Sequence, residues 1–489
     1  MNTLHPATPA TAVEAAAVQA MQSAQGTLDV WPDCCHTVTL AEAAVVASPP
    51  FQRLRRLRQM GLAFHAWPNA ENTRASHSAG VSYWAATYLA ALDRCPHGAT
   101  QSVLARTRAA LAPLSLDVVL RLFALLHDID LLPLGHTLRY QSGAFAEGRG
   151  RPRLVACVAA IKANARDEAF RDALSATDRE RLLTAFEAHL DAAADALADH
   201  ATSFGQLLNE LVNSGLGADL MDFALRDSAA INRKQARHDA LAEHLRLAES
   251  AGQARLMLEL GEPSEAPARV DAVDDLYRAR FEIFAASVFH PVKLAGDAML
   301  DFALRRVGPA RCAELLPQDR LLQIGDDELI DTIVAADEAT TTFEPCVQVA
   351  RRLRQGQLHE EVWRTEDLAR FSRHAGAERA LALAPGWRSA VERRLRERLA
   401  WAADGDLIVA VSAPTMQVKP ADALLCAGDE TFTLAEANEH GFSVAAPRIA
   451  RQYAALWSLR LYLSSRCRGH RESVRATARD IFDDHGAVR

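Results

Sequence analysis

His127 and Asp128 are consecutive residues closing a strongly apolar stretch, SLDVVLRLFALLH at 115–127. A carboxylate directly after such a run is costly to bury alone. It must be turned to water, paired, or given to a cation. Adjacent helical side chains point about 100° apart. Even so, a long imidazole and a short carboxylate can converge on one ion just beyond the helix end. A divalent metal would take their nitrogen and oxygen donors at about 2.0–2.2 Å. The dipeptide alone leaves both outcomes open, metal ligation and ordinary hydrogen bonding.

The elements that must position this pair read as helices. From about 40 to 310 the chain is rich in Ala, Leu and Arg, with apolar residues recurring at intervals of three and four. The spacing predicts helices over 77–92 and 115–127, the second capped by Ser115 or Asp117. Its apolar face carries Val119, Leu120, Phe123, Leu126 and His127. Segments 141–153 and 260–269 read as loops. Arg53, Arg55, Arg56 and Arg58 read as a solvated or salt-bridged helix face. After about 400 the pattern changes to short strands, LIVAV at 407–411 and within 421–434, followed by a last helix over 446–465. The expected fold class is mainly α, a helical body with a smaller α+β C-terminal portion. The expected division is a mobile N-terminal segment 1–30, a helical domain 31–310, and a helical and α+β region 311–489.

Composition narrows the class further. The 489 residues are 49% hydrophobic and 24% charged, which excludes collagen-like and wholly disordered chains. Lys+Arg 54 against Asp+Glu 62 gives a net charge of −8, so a surface coated for duplex DNA is not favoured. No run of about 18 apolar residues is present to span a bilayer. The N-terminal residues lack a basic and apolar leader. Eight scattered cysteines without a C-x-x-C read as reduced, small hydrophobes. These features together predict a cytoplasmic protein.

Four segments then appear in order: FQRLRRLRQMG (51–61), PNAENTRASHSAGV (68–81), LLHDIDLLPLGHTL (125–138) and ADLMDFALRDS (218–228). A fifth, RARFEIFAASVFHPVKLAGDAML, follows at 278–300. Their order and spacing resemble the HD-domain deoxynucleoside triphosphate triphosphohydrolases, the dGTPase-like enzymes. The likeness covers roughly 30–310. It implies an HD phosphohydrolase domain that cleaves a deoxynucleoside triphosphate to deoxynucleoside and inorganic triphosphate. It also implies a single divalent metal (Mn, Fe, Mg, Co or Zn) held by His77, His127, Asp128 and Asp219. Arg74 and Arg280 would bind phosphate. Gln59 and Asp227 would read the sugar, with Phe223 and His290 beside them. A nucleotide activator and a homo-oligomer are further implications, as is a role in antiviral defence.

Some positions depart from the family pattern. Leu131 stands where the family places a second imidazole, and the acidic residue and His-Glu pair that usually follow have no counterpart. Leu220 occupies a phosphate-contacting Lys position, and Phe223 replaces a Tyr. Expelling an alkoxide needs a proton donor, whose loss costs about 10²–10⁴-fold. His136 is the imidazole left in the motif for that role, with Asp128 as its catalytic partner. If turnover is lost, the same chain would read as a nucleotide sensor, or as a phosphoesterase for another nucleotide.

Overall fold

The computed structural model describes residues 16–31, 34–138, 151–170, 176–235, 237–250, 252–336, 344–364, 385–411, 421–428, 430–454, 456 and 458–482, without the side chain of His136. Within them the chain is mainly α, with a two-stranded, a four-stranded and a three-stranded sheet. Residues 1–15 of the segment expected to be mobile lie outside the described residues. Its later part is ordered, because Ala24–Trp31 pairs antiparallel with Cys34–Thr39.

Helix α1 (Arg74–Arg94) starts where the Thr73 hydroxyl accepts the Ser76 amide, three residues before the predicted start. Helix α2 (Leu116–Leu126) is buried almost all round rather than along one face. An all-apolar helix belongs in the interior, and α2 packs against α1 and the helix Ala176–Ala198. Ser115 takes its N-cap position, but its side chain makes no capping bond. Instead the Ser115 amide donates to Nε2 of buried His189 at 2.9 Å.

Helix α3 (Ala218–Ala230) lies against α1, and α4 (Ala266–Ile283) lies against α3. Helix α4 begins inside the predicted 260–269 loop, with Pro267 in its first turn, where no amide donor is needed. The other predicted loop meets a helix at Arg151, and residues 141–150 lie outside the described residues. Helix α5 (Pro291–Val307) follows α4, and α6 (Asp326–Ala335) packs beside it.

Three strands break the sequence expectation. Leu245–Ser250 and Gln253–Glu259 form a hairpin within the stretch read as helical, turning at Gly252 with φ +76°. Ala, Leu and Arg favour helix locally, but the hairpin gains partners from far along the chain. Met257–Glu259 pairs in parallel with Leu424–Cys426. The helix predicted over 446–465 stops at Ala454, and Leu459–Leu463 becomes the middle strand between Glu360–Arg364 and Leu407–Val411. All five residues of that strand are buried. A short run with no polar face cannot be assigned by periodicity. Among the described residues no single helix is long and apolar enough to cross a membrane.

Candidate metal centre

Helices α1, α2 and α3 bring His77, His127, Asp128 and Asp219 to one place. His77 Nε2 lies 3.3 Å from His127 Nε2 and 3.1 Å from Asp219 Oδ1. His127 Nε2 lies 3.6 Å from Asp128 Oδ2. His77, His127 and Asp128 offer donor atoms all within 4.8 Å of one another, a group that could hold a metal ion. Asp219 stands outside that tight trio and reaches it through His77. Ligands about 2.0–2.2 Å from a shared ion sit roughly 3–3.5 Å apart at tetrahedral or octahedral angles, so these separations fit one.

The far ring nitrogens decide the tautomers. His77 Nδ1 meets Asp222 Oδ2 at 2.6 Å, and His127 Nδ1 meets the Ala124 carbonyl at 2.6 Å. Each acceptor takes an N–H, which leaves each Nε2 lone pair aimed at the shared point. Histidines that ligate metals are oriented in this way. Asp222 is held in turn by Arg226, with Nε–Oδ2 at 2.9 Å and Nη2–Oδ1 at 2.8 Å. Gly80 makes room for it, since a Cβ there would fall 1.7 Å from Asp222 Oδ1.

Electrostatics also call for a cation. Burial pushes His77 down, but the Asp219 and Asp222 carboxylates outweigh it and hold the imidazole up at about 10. Burial likewise opposes the charge on Asp128, yet Arg74 and His127 hold it down at about 2. Asp128 and Asp222 therefore stay ionised, and a bound cation would take the place of the extra proton that His77 otherwise holds.

The centre opens into a cavity of about 470 Å³. Its lining includes Gln59, Arg74, Phe223, Asp227, Arg280 and Lys293. Gln59 is buried, and among the described residues its Oε1 has no hydrogen-bond partner. Burial pushes Asp227 up to about 6 although Asn72 Nδ2 donates to it at 2.6 Å. Arg280 sits 5.9 Å over the Phe284 ring, and among the described residues it has no ion-pair partner. Arg74 is engaged, because Nη1 contacts Asp128 Oδ2 at 2.7 Å and Nη2 contacts the Gln59 carbonyl at 3.1 Å.

Other expectations change. His290 does not line the cavity; it caps α5, its Nδ1 accepting the Val292 amide at 3.2 Å, one of the first-turn donors that no intrahelical carbonyl can reach. Arg53 is buried rather than solvated, while Arg58 pairs with Glu71 and Asp327. The His136 side chain lies outside the described residues. Sequence reasoning missed Asp222 and Arg226, although both stand in the quoted 218–228 segment. Their one-turn spacing, Asp222 to Arg226, was the available signal. It also missed Lys293, buried in the cavity wall and paired with Asp297.

No family model matches this chain. Over 267 residues it is 24% identical to an uncharacterized protein of Methanocaldococcus jannaschii, a stretch covering 54% of this chain and 46% of that relative. The chain thus spans about half the length of the curated relative it matches.

Proposed function

We propose that the protein is a metal-dependent phosphohydrolase of deoxynucleoside triphosphates, releasing deoxynucleoside and inorganic triphosphate. The observation that carries this reading is the pair of opposed Nε2 lone pairs on His77 and His127, each fixed by an acceptor behind it. Asp128 and Asp219 complete the donor set. A divalent ion held there would polarise a phosphoryl oxygen and acidify water. Arg280, with no ion-pair partner among the described residues, supplies charge for the phosphates, and Lys293 stands in the same wall. Gln59 Oε1 lacks a donor among the described residues and Asp227 lines the cavity, so both suit a sugar hydroxyl. His136, whose backbone follows the cavity residues Leu134 and Gly135, is the residue to which this reading assigns the proton for the leaving 5′-oxygen. A nucleotide activator, a homo-oligomer and a cytoplasmic setting belong to the same reading.

The decisive experiment is incubation with each dNTP, singly and mixed, with Mn²⁺, Mg²⁺, Co²⁺, Fe²⁺ or Zn²⁺, resolved by ion-exchange chromatography. Nucleoside plus triphosphate is expected, and full recovery of every dNTP overturns the proposal. One feature favours a second reading, a nucleotide sensor with little turnover. Leu220 lines the cavity where a cation would be wanted, and Leu131 packs towards Gly135 in place of an imidazole. Saturable binding by calorimetry without product formation would select it.

A further inference from the structure

Segment 129–134 connects the His127–Asp128 pair to His136, and its backbone is gripped from two sides. Arg53 Nη2 donates to the Ile129 carbonyl at 3.0 Å and the Leu131 carbonyl at 2.7 Å, while Nη1 reaches the Leu321 carbonyl at 3.3 Å. Asp326 Oδ1 accepts the Leu134 amide at 2.7 Å, and its Oδ2 accepts the Arg58 amide at 2.8 Å. Both side chains are buried, at 2% and 1% exposure. The grip is close. A Cβ on Gly325 would fall 2.6 Å from Arg56 Cβ and 2.8 Å from its carbonyl oxygen.

These are expensive groups to bury. Among the described residues no carboxylate lies within ion-pair distance of Arg53; Asp130 and Asp326 act on it only from further off. Asp326 spends its two oxygens on main-chain amides, with the Arg58 guanidinium 4.0 Å from Oδ2. An apolar residue at either place would avoid the desolvation cost. What a planar guanidinium and a two-oxygen acceptor offer instead is direction. They fix two carbonyls and one amide within six residues. The amide belongs to Leu134, held in the left-handed region at φ +48°, where a non-glycine residue does not stay unaided.

We infer that Arg53 and Asp326 are positioning residues, which clasp the 129–134 backbone and so set the main chain leading to position 136 relative to the His127–Asp128 pair. The proposal deepens the phosphohydrolase reading and rests on it for its catalytic consequence. The clasp also spans the chain, since Asp326 starts α6 whereas the ligands stand on α1, α2 and α3. The unit beyond residue 311 therefore takes part in shaping the site.

Asp326→Asn tests the idea, because an amide keeps one acceptor and turns an N–H towards the other main-chain donor. Arg53→Lys is its companion, keeping charge but losing the fork. Hydrogen-exchange mass spectrometry should show peptides covering 53–61 and 125–138 exchanging about tenfold faster or more in Asp326→Asn. Calorimetric Mn²⁺ binding should stay within about twofold of the parent, since no ligand hangs on the clasp. If the chain hydrolyses dNTPs, kcat should fall by about 10²-fold with little change in KM. Unchanged exchange in both peptides overturns the inference, as does full retention of kcat in Arg53→Lys. Joint loss of Mn²⁺ binding and cooperative unfolding in both variants also overturns it, marking the pair as fold-holding only. Failure of the dNTP assay in the parent chain would sink the function while leaving the exchange result to judge the clasp.

Discussion

The cluster buried between α5 and the helix Pro385–Arg398 is built from the same kinds of residue as the His77 centre. Arg305 Nε contacts Asp301 Oδ2 at 2.8 Å, and Nη2 contacts Glu392 Oε1 at 2.8 Å. Arg388 Nη1 contacts the same Asp301 oxygen at 2.6 Å. Two guanidiniums face two carboxylates, so the group balances its own charge and closes on itself. Around His77 the arrangement differs: Asp128 meets Arg74, Asp222 meets Arg226 and His77, and Asp219 meets His77, with Asp227 close behind. The closed cluster is almost wholly buried, whereas Asp128 and Asp219 stay partly exposed. What separates a fastening from a site is the surplus of negative charge and the cavity on which it opens.

That contrast can be broken at several points. The largest effect is expected at the ligands: His77→Ala and His127→Ala should each abolish retention of Mn²⁺ after dialysis, read by elemental analysis, and reduce hydrolysis to background. Near-parental metal content in either variant would remove the distinction. In the closed cluster Glu392→Gln should lower unfolding stability by about 3–5 kcal/mol. Metal affinity should be untouched, so denaturant titration with and without Mn²⁺ checks both halves.

A third test uses pH. Burial pushes His359, whose Nε2 donates to the Gly405 carbonyl at 2.8 Å, down to about 4. The unfolded chain takes up that proton near 6.5, so the folded form binds fewer protons between the two values. Stability should fall as pH drops through this window and level off below it, by about 3 kcal/mol in all. His359→Gln, which keeps a donor, should flatten that slope in urea melts from pH 7 to 4. A slope unchanged by the substitution would refute the assignment. The smallest effect belongs to the support behind the ligands. Asp222→Asn should weaken Mn²⁺ binding by about 10–100-fold without unfolding the chain, measured by calorimetry.

Much of the helical body was legible because its signals are local. Apolar spacing located α1 and α2 to within a few residues, and the 407–411 strand fell where its run of Val, Ile and Leu predicted. The candidate trio was legible for another reason: a carboxylate at the end of an all-apolar helix drew notice to His127 and Asp128, and His77 joined them only through the order of the family-like segments. What stayed hidden depends on distance along the chain. The Gln253–Glu259 strand becomes a strand only by pairing with residues near 424, and Leu459–Leu463 only between two other strands. Arg53 looked like one member of a basic surface run, because nothing local reveals that its donors end on carbonyls at 129, 131 and 321. His290 looked like a site residue, since motif position does not tell a cap from a contact.

The parallel pairing of Met257–Glu259 with Leu424–Cys426 bears on how this protein can be cut. A fragment ending near residue 310 would keep every ligand, yet it would strip one edge of the hairpin and uncover apolar surface otherwise sealed by Leu425, Phe432 and Leu434. Open edges of that kind recruit other chains. Anyone wishing to express the half that carries the candidate metal centre should graft the 421–446 stretch onto it, or expect inclusion bodies.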